Sequence, residues 1–219
     1  MRKADRREIR RYLGMDPLTE DPRIEEKITE ALGKLEKACS PSYVREYFDL
    51  SVEGDTVSFG GIETVSRNLA ANLSGCDEVC VMACTLGAEA DRMIRRASVI
   101  SALEGAVYQA SASAMAEAWC ETVNDLIREE AEKKGKVCHP RFSPGYGDLS
   151  LSLQKDLFRI VPITKTTGVS LTESMLMVPV KSVTALIGLG YEECGTSENK
   201  CINCTMADEC PYRTEGEKE

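Results

Sequence analysis

The 219-residue chain is long enough to bury a sizeable core, and its length suits one domain with a small appendage. Its 27 basic against 36 acidic residues give a formal net charge of −9, which argues against nucleic-acid binding, because affinity for phosphate backbones comes from clustered Lys and Arg. No stretch approaches the roughly 18 apolar residues of a membrane span, and the amino terminus opens on charge rather than an apolar run, so a cytoplasmic location is expected.

Two amphipathic helices are expected first, over 4–13 and 22–38. In the second, Ile24, Ile28, Ala31, Leu32 and Leu35 share one face, and Pro41 lies just past its end. The basic residues of the first (Arg6, Arg7, Arg10, Arg11) alternate with Asp5 and Glu8, the mark of a solvated helix face rather than a polyanion-binding patch. The stretch from Tyr47 to Phe59 alternates weakly around Gly54-Asp55 and predicts a hairpin. Thr64 or Ser66 is a candidate cap for a short helix ending near Gly75. Glu78 to Cys84 reads as a buried strand, with Cys76, Cys80 and Cys84 spaced evenly along it as small core residues.

A long helical tract follows over 88–134, interrupted near 99–104 and stopped by Gly135. Within it Ala106, Ala110, Ala114 and Ala118 form a stripe of small side chains suited to close packing. A Gly/Pro-rich loop at 141–148 leads to a short helix around 151–158. Met175 to Gly188 reads as a strand pair kinked at Pro179. Strands and helices do not alternate as regular βαβ units, so the expected class is α+β, a central, mostly antiparallel twisted sheet flanked by helices. Composition divides the chain into a main domain over 1–190, a Cys-rich knuckle over 191–212 and a charged tail over 213–219.

Two segments carry chemistry. In the loop, Arg141 offers a planar donor pair for a carboxylate, and Gly145 and Gly147 remove side chains where a ligand would approach the backbone. Tyr146 presents a π face to a cation and a hydroxyl to a polar edge. His139, just before the loop, is expected to be a structural or surface residue rather than a ligand. Near the carboxyl end, Cys194, Cys201, Cys204 and Cys210 offer four thiolates with a C-x2-C bite, which suits either an iron–sulfur cluster or tetrahedral zinc. Cys39, Cys120 and Cys138 look unpaired and are assigned no role, a disulfide framework not being expected in a reducing compartment.

The motif Arg141-x-x-x-Gly145-Tyr146 resembles the S-adenosylmethionine-binding signature of the reactivation domain of cobalamin-dependent methionine synthase. Leu171-Thr172-Glu173-Ser174, followed by Met177, Pro179 and Ser182-Val183, resembles a second pattern of that domain, and Ala116-Glu117-Ala118 a third. Together these cover about 105–188, and the chain looks like a stand-alone form of the domain. The resemblance implies that Arg141 grips the methionyl carboxylate and that the main chain from Pro144 through Gly145 to Gly147 lies along the ligand. Tyr146 would stack near the sulfonium or lie at the cofactor face, Glu117 would meet the amino group, and Glu173 and Ser174 would meet ribose hydroxyls or brace the loop.

It also implies a role in methionine biosynthesis. S-adenosylmethionine would re-methylate oxidised cobalamin on a corrinoid-binding methyltransferase partner, with a flavodoxin- or ferredoxin-type electron donor and no catalytic base from this chain. Residues 1–75 have no counterpart in the pattern, and the Cys-rich end is absent from the family's domain. The alternative reading is an iron–sulfur electron-transfer or regulatory module of a corrinoid system with a vestigial S-adenosylmethionine pocket.

Overall fold

A computed structural model describes residues 1–191. The four cysteines expected to hold a metal, the knuckle and the tail lie outside the described residues.

Helix α1 (Arg6–Tyr12) is capped by the Asp5 carboxylate, which accepts from the Arg7 amide. Helix α2 (Pro22–Ala38) starts the same way at Asp21, with Pro22 at the first helical position, where its missing N–H costs nothing. The expected hairpin forms from β1 (Ser42–Glu53) and β2 (Thr56–Phe59), turning through Gly54-Asp55, and β3 (Ile62–Val65) extends it. Ser66 caps the short helix α3 (Arg67–Asn72), its side-chain hydroxyl accepting from the Leu69 amide. Strand β4 (Cys76–Thr85) leads to α4 (Ala88–Ile100) and α5 (Ala102–Lys133), separated at Ser101, which caps α5. Then come β5 (Val137–Cys138), α6 (Leu153–Ile160), α7 (Ile163–Thr167), β6 (Ser170–Leu171), β7 (Met177–Val178) and β8 (Ser182–Gly190).

The sheet runs β3-β2-β1-β4-β8-β5 with every neighbouring pair antiparallel, and the α+β class expected from the sequence is the class observed. Because side chains alternate across a strand, β4 serves two cores. Val79, Val81 and Ala83 face one side, with Leu69 and with Leu153, Leu157, Val161 and Ile163 from the α6–α7 region. Cys80, Met82 and Cys84 face the other, against Cys120, Val123, Ile127 and Ala131 of α5. A third cluster joins α1, α2, α4 and the first half of α5 through Ile9, Ile28, Leu35, Ala90, Ala97 and Met115. Ala110, Ala114 and Ala118 of the small-residue stripe are buried as expected, whereas Ala106 is exposed at its start.

The stretch 175–188 is not a strand pair. Strand β7 pairs with β6 in a separate two-stranded ribbon, and β8 joins the main sheet between β4 and β5. Buried Pro179, preceded by a cis peptide bond, lies where the chain leaves one sheet for the other. An apolar run rich in Val and Leu marks two strands without stating which neighbours they take.

Candidate functional site

Between α1, α5 and the segment 140–146 lies a cleft of about 910 Å³. One wall is the segment that follows β5. It runs antiparallel to β8, His139 N–H donating to Gly188 O and Phe142 exchanging two hydrogen bonds with Leu186. This pins Arg141 at the sheet edge, between two ladder contacts, and turns it toward α5. His139 itself is buried, its Nδ1 2.7 Å from Asn72 O, a structural position as expected.

The floor is α5. Helical spacing places Glu117, Glu121 and Asn124 on the cleft side, at i, i+4 and i+7. The Arg141 guanidinium, only 19% exposed, ion-pairs with Glu121 and lies 3.6 Å from Glu117. It also donates to Cys120 Sγ. Burial opposes the charge on Arg141, but Cys120, Glu121 and Glu117 outweigh it and hold the guanidinium above its ordinary value, so it is always cationic. Behind Cys120 sits Cys84 of β4. The hydrogen bond between the two sulfurs, ahead of burial, holds the Cys84 thiol above the usual range and Cys120 below it.

The second wall is α1, which contributes Glu8, Arg11 and Tyr12. Its start is tied to α5 by Arg2, whose backbone N–H donates to Thr122 Oγ1 and whose side chain pairs with Asp125 at 2.7 Å. Burial and then Glu117 push the Tyr12 hydroxyl above its ordinary value, so it stays a neutral donor. With three carboxylates (Glu8, Glu117, Glu121) facing two guanidinium groups (Arg11, Arg141), the cleft carries a net charge of −1.

Tyr146 stands at the mouth, 71% exposed, edge-to-face with Phe142 at 6.4 Å. The turn beneath it is closed by Gly145 N–H to Leu149 O and Leu149 N–H to Tyr146 O. Gly145 and Gly147 both have positive φ, but the space left by their missing side chains is filled from within the chain. A Cβ at Gly145 would meet Leu151 at 3.3 Å, and one at Gly147 would meet Asn68 at 2.4 Å. Neither glycine lines the cleft, and Pro144 is buried. These residues shape the turn, and Asp148 fastens it by accepting from Ser66 Oγ and the amides of Arg67 and Asn68 at the start of α3. That pattern, led by the Ser66 bond, holds the Asp148 carboxyl below its ordinary range.

Of the residues singled out from the sequence, Arg141, Tyr146 and Glu117 thus converge on the cleft. Glu173 and Ser174 do not line it. They occupy the turn of the β6–β7 ribbon, where Ser174 Oγ lies 3.0 Å from Thr172 Oγ1. Sequence reasoning missed Glu8, Arg11 and Tyr12, because nothing in a charged amphipathic helix says which distant helix it covers. It also missed Cys120 and Asn124. The one available signal for Asn124 was its i+7 spacing from Glu117. Among the described residues no group of three or more His, Cys, Asp or Glu is arranged to hold a metal ion, and no helix is long and apolar enough to cross a membrane.

The model of a family described as vitamin B12 dependent methionine synthase, activation domain, matches residues 68–193, more than half of the chain. Among solved structures, the MetH reactivation domain bound to AdoHcy shares the fold with a TM-score of 0.59 and 21% sequence identity, over 76% of this chain. The chain spans 64% of the length of that structure. No curated protein matches the chain.

Proposed function

This chain belongs to the activation-domain family of vitamin B12 dependent methionine synthase, and from that premise we propose that its cleft holds S-adenosylmethionine for the reductive re-methylation of oxidised cobalamin on a partner protein. The observation that carries this reading is the convergence of Arg141, Glu117 and Tyr146 on one cleft between α1 and α5. The binding of AdoHcy by the structurally similar MetH domain supports it.

The residues fit such a ligand. S-adenosylmethionine carries one net positive charge, complementary to the cleft's −1. When bound it supplies a methyl group on a cationic sulfur, which the cobalt of the partner's corrinoid accepts together with an electron from a flavodoxin- or ferredoxin-type donor. Arg141 is fixed on three sides yet lies at the cleft surface, and it receives the methionyl carboxylate through two parallel donors. Glu117, half exposed, meets the ammonium. The ring of Tyr146 borders the sulfonium at the mouth, where a corrinoid carried by a partner would approach. The protein's part is orientation, so it needs no base of its own.

Residues 1–190 act in this reading as the ligand-binding unit. Cys194, Cys201, Cys204 and Cys210 hold iron–sulfur or zinc in a knuckle over 191–212, supported by their spacing in sequence. Metal analysis and an absorption spectrum of anaerobically purified protein test that part.

The functional test is methyl transfer. Protein, an oxidised corrinoid methyltransferase, a reductant and S-adenosylmethionine labelled on its methyl group are combined. Label is expected on the corrinoid, and to depend on Arg141. Equal reactivation with and without S-adenosylmethionine would refute the proposal.

A further inference from the structure

We infer that Cys120 is a positioning residue of this cleft: its sulfur accepts a hydrogen bond from the Arg141 guanidinium and holds that group in the orientation that receives a carboxylate. The inference rests on the ligand reading given above. The two terminal nitrogens of Arg141 have separate anchors on successive residues of α5. Nη1 donates to Cys120 Sγ, and Nη2 pairs with Glu121. Successive residues of a helix lie about 100° apart around its axis, so the planar group is held from two directions. Each terminal nitrogen carries a second N–H, and these leave the ligand the parallel donors that a carboxylate takes.

The two anchors differ in exposure, and the difference decides which one sets the orientation. The Glu121 side chain is about a third exposed, so water competes for its bond and replaces it when it breaks. Cys120 is wholly buried. Losing its sulfur leaves the Nη1 N–H facing an apolar wall without a partner, and the guanidinium regains one only by swinging toward solvent. The sulfur is fixed from behind as well. It packs among Cys80, Cys84, Val123 and Ala185, and it accepts from the Cys84 thiol of β4. Cys120 needs no access to the ligand, because it acts through Arg141, which lines the cleft.

The test is calorimetry of the full chain with S-adenosylmethionine and with 5′-methylthioadenosine, which has no carboxylate. Cys120→Ala removes the acceptor, and Cys120→Ser restores one in nearly the same volume. Alanine is expected to weaken S-adenosylmethionine about threefold to tenfold, the contribution of one hydrogen bond, and to leave 5′-methylthioadenosine unchanged. Serine is expected to recover most of the loss. In an Arg141→Ala background, Cys120→Ala is expected to add nothing, since the residue through which it acts is gone. Cys120→Val, which fills the site without an acceptor, takes the place of alanine if that variant does not fold. A cysteine that only packs the core would weaken both ligands, and would do so with or without Arg141. Either of those results, no recovery with serine, or wild-type affinity in Cys120→Ala overturns this inference alone. Absence of any S-adenosylmethionine binding by the wild-type protein overturns it together with the reading it rests on.

Discussion

Replacing Arg141 separates the binding role proposed for this residue from its structural one. A hydrogen bond to a charged group contributes about 1.5–3 kcal/mol. At about 1.4 kcal/mol per tenfold, Arg141→Ala is expected to weaken S-adenosylmethionine by roughly 10- to 150-fold. The fold should lose much less. The partner left behind, Glu121, is about a third exposed and Glu117 half exposed, so water replaces the guanidinium. Such partly exposed pairs contribute about 0–1 kcal/mol, or about 2–4 °C per kcal/mol of melting temperature for a domain of this size. Arg141→Lys keeps the charge but not the two-pronged geometry, and falls between wild type and alanine. Calorimetry with both S-adenosylmethionine and 5′-methylthioadenosine supplies the control, since only the first has a carboxylate. Equal weakening of both ligands, or no weakening of either, would refute the assignment of Arg141 to the carboxylate.

Three further outcomes follow from the packing. Leu157→Ala empties a fully buried site on the sheet face opposite α5, and should cost about 2–5 kcal/mol in denaturant unfolding while leaving ligand affinity unchanged. Gly105→Ala puts a Cβ 2.5 Å from Ser98 Oγ and 3.0 Å from Ser98 Cα where α4 and α5 cross, and should destabilise by about 1–3 kcal/mol on a thermal melt. Burial pushes the Cys80 thiol up to about 12, and those of Cys39 and Cys138 up to about 11, from 9.0. Because these folded values lie above the unfolded one, their stabilisation is complete below pH 9 and is lost as pH rises toward about 12. Denaturant midpoints should fall over that window, less steeply in Cys80→Ala, and an equal fall in both would contradict the cause.

Much of the scaffold is legible in the sequence because it is written in local signals. Asp21-Pro22 starts a helix, Gly54-Asp55 turns a hairpin, and Glu78 to Cys84 is apolar enough to be a central strand buried on both faces. Pairing is not local. The residues from Met177 to Gly190 form two strands as their composition suggests, yet they enter different sheets, a choice made by partners far away in the chain. The ribbon strands β6 and β7, two residues each, are too short for any period to register.

The site divides in the same way. Arg141 and Tyr146 were visible because one compact loop carries both. Glu117 was visible through its helix motif. The α1 wall was not, because its contact with α5 joins residues more than a hundred positions apart. The sequence offers Gly145 and Gly147 as openings for a ligand, and the structure adds that their positive φ values and the closeness of Leu151 and Asn68 shape the turn. A missing side chain in sequence leaves open which neighbour occupies the space.

The most direct test of the central claim is a crystal structure of the protein grown with S-adenosylmethionine or S-adenosylhomocysteine. One ligand molecule is expected between α1 and α5, its carboxylate on the Arg141 guanidinium and its sulfur beside the Tyr146 ring. A ligand bound elsewhere on the molecule, or lying in the cleft with Arg141 still closed onto Glu121 and no contact to the carboxylate, would contradict the account.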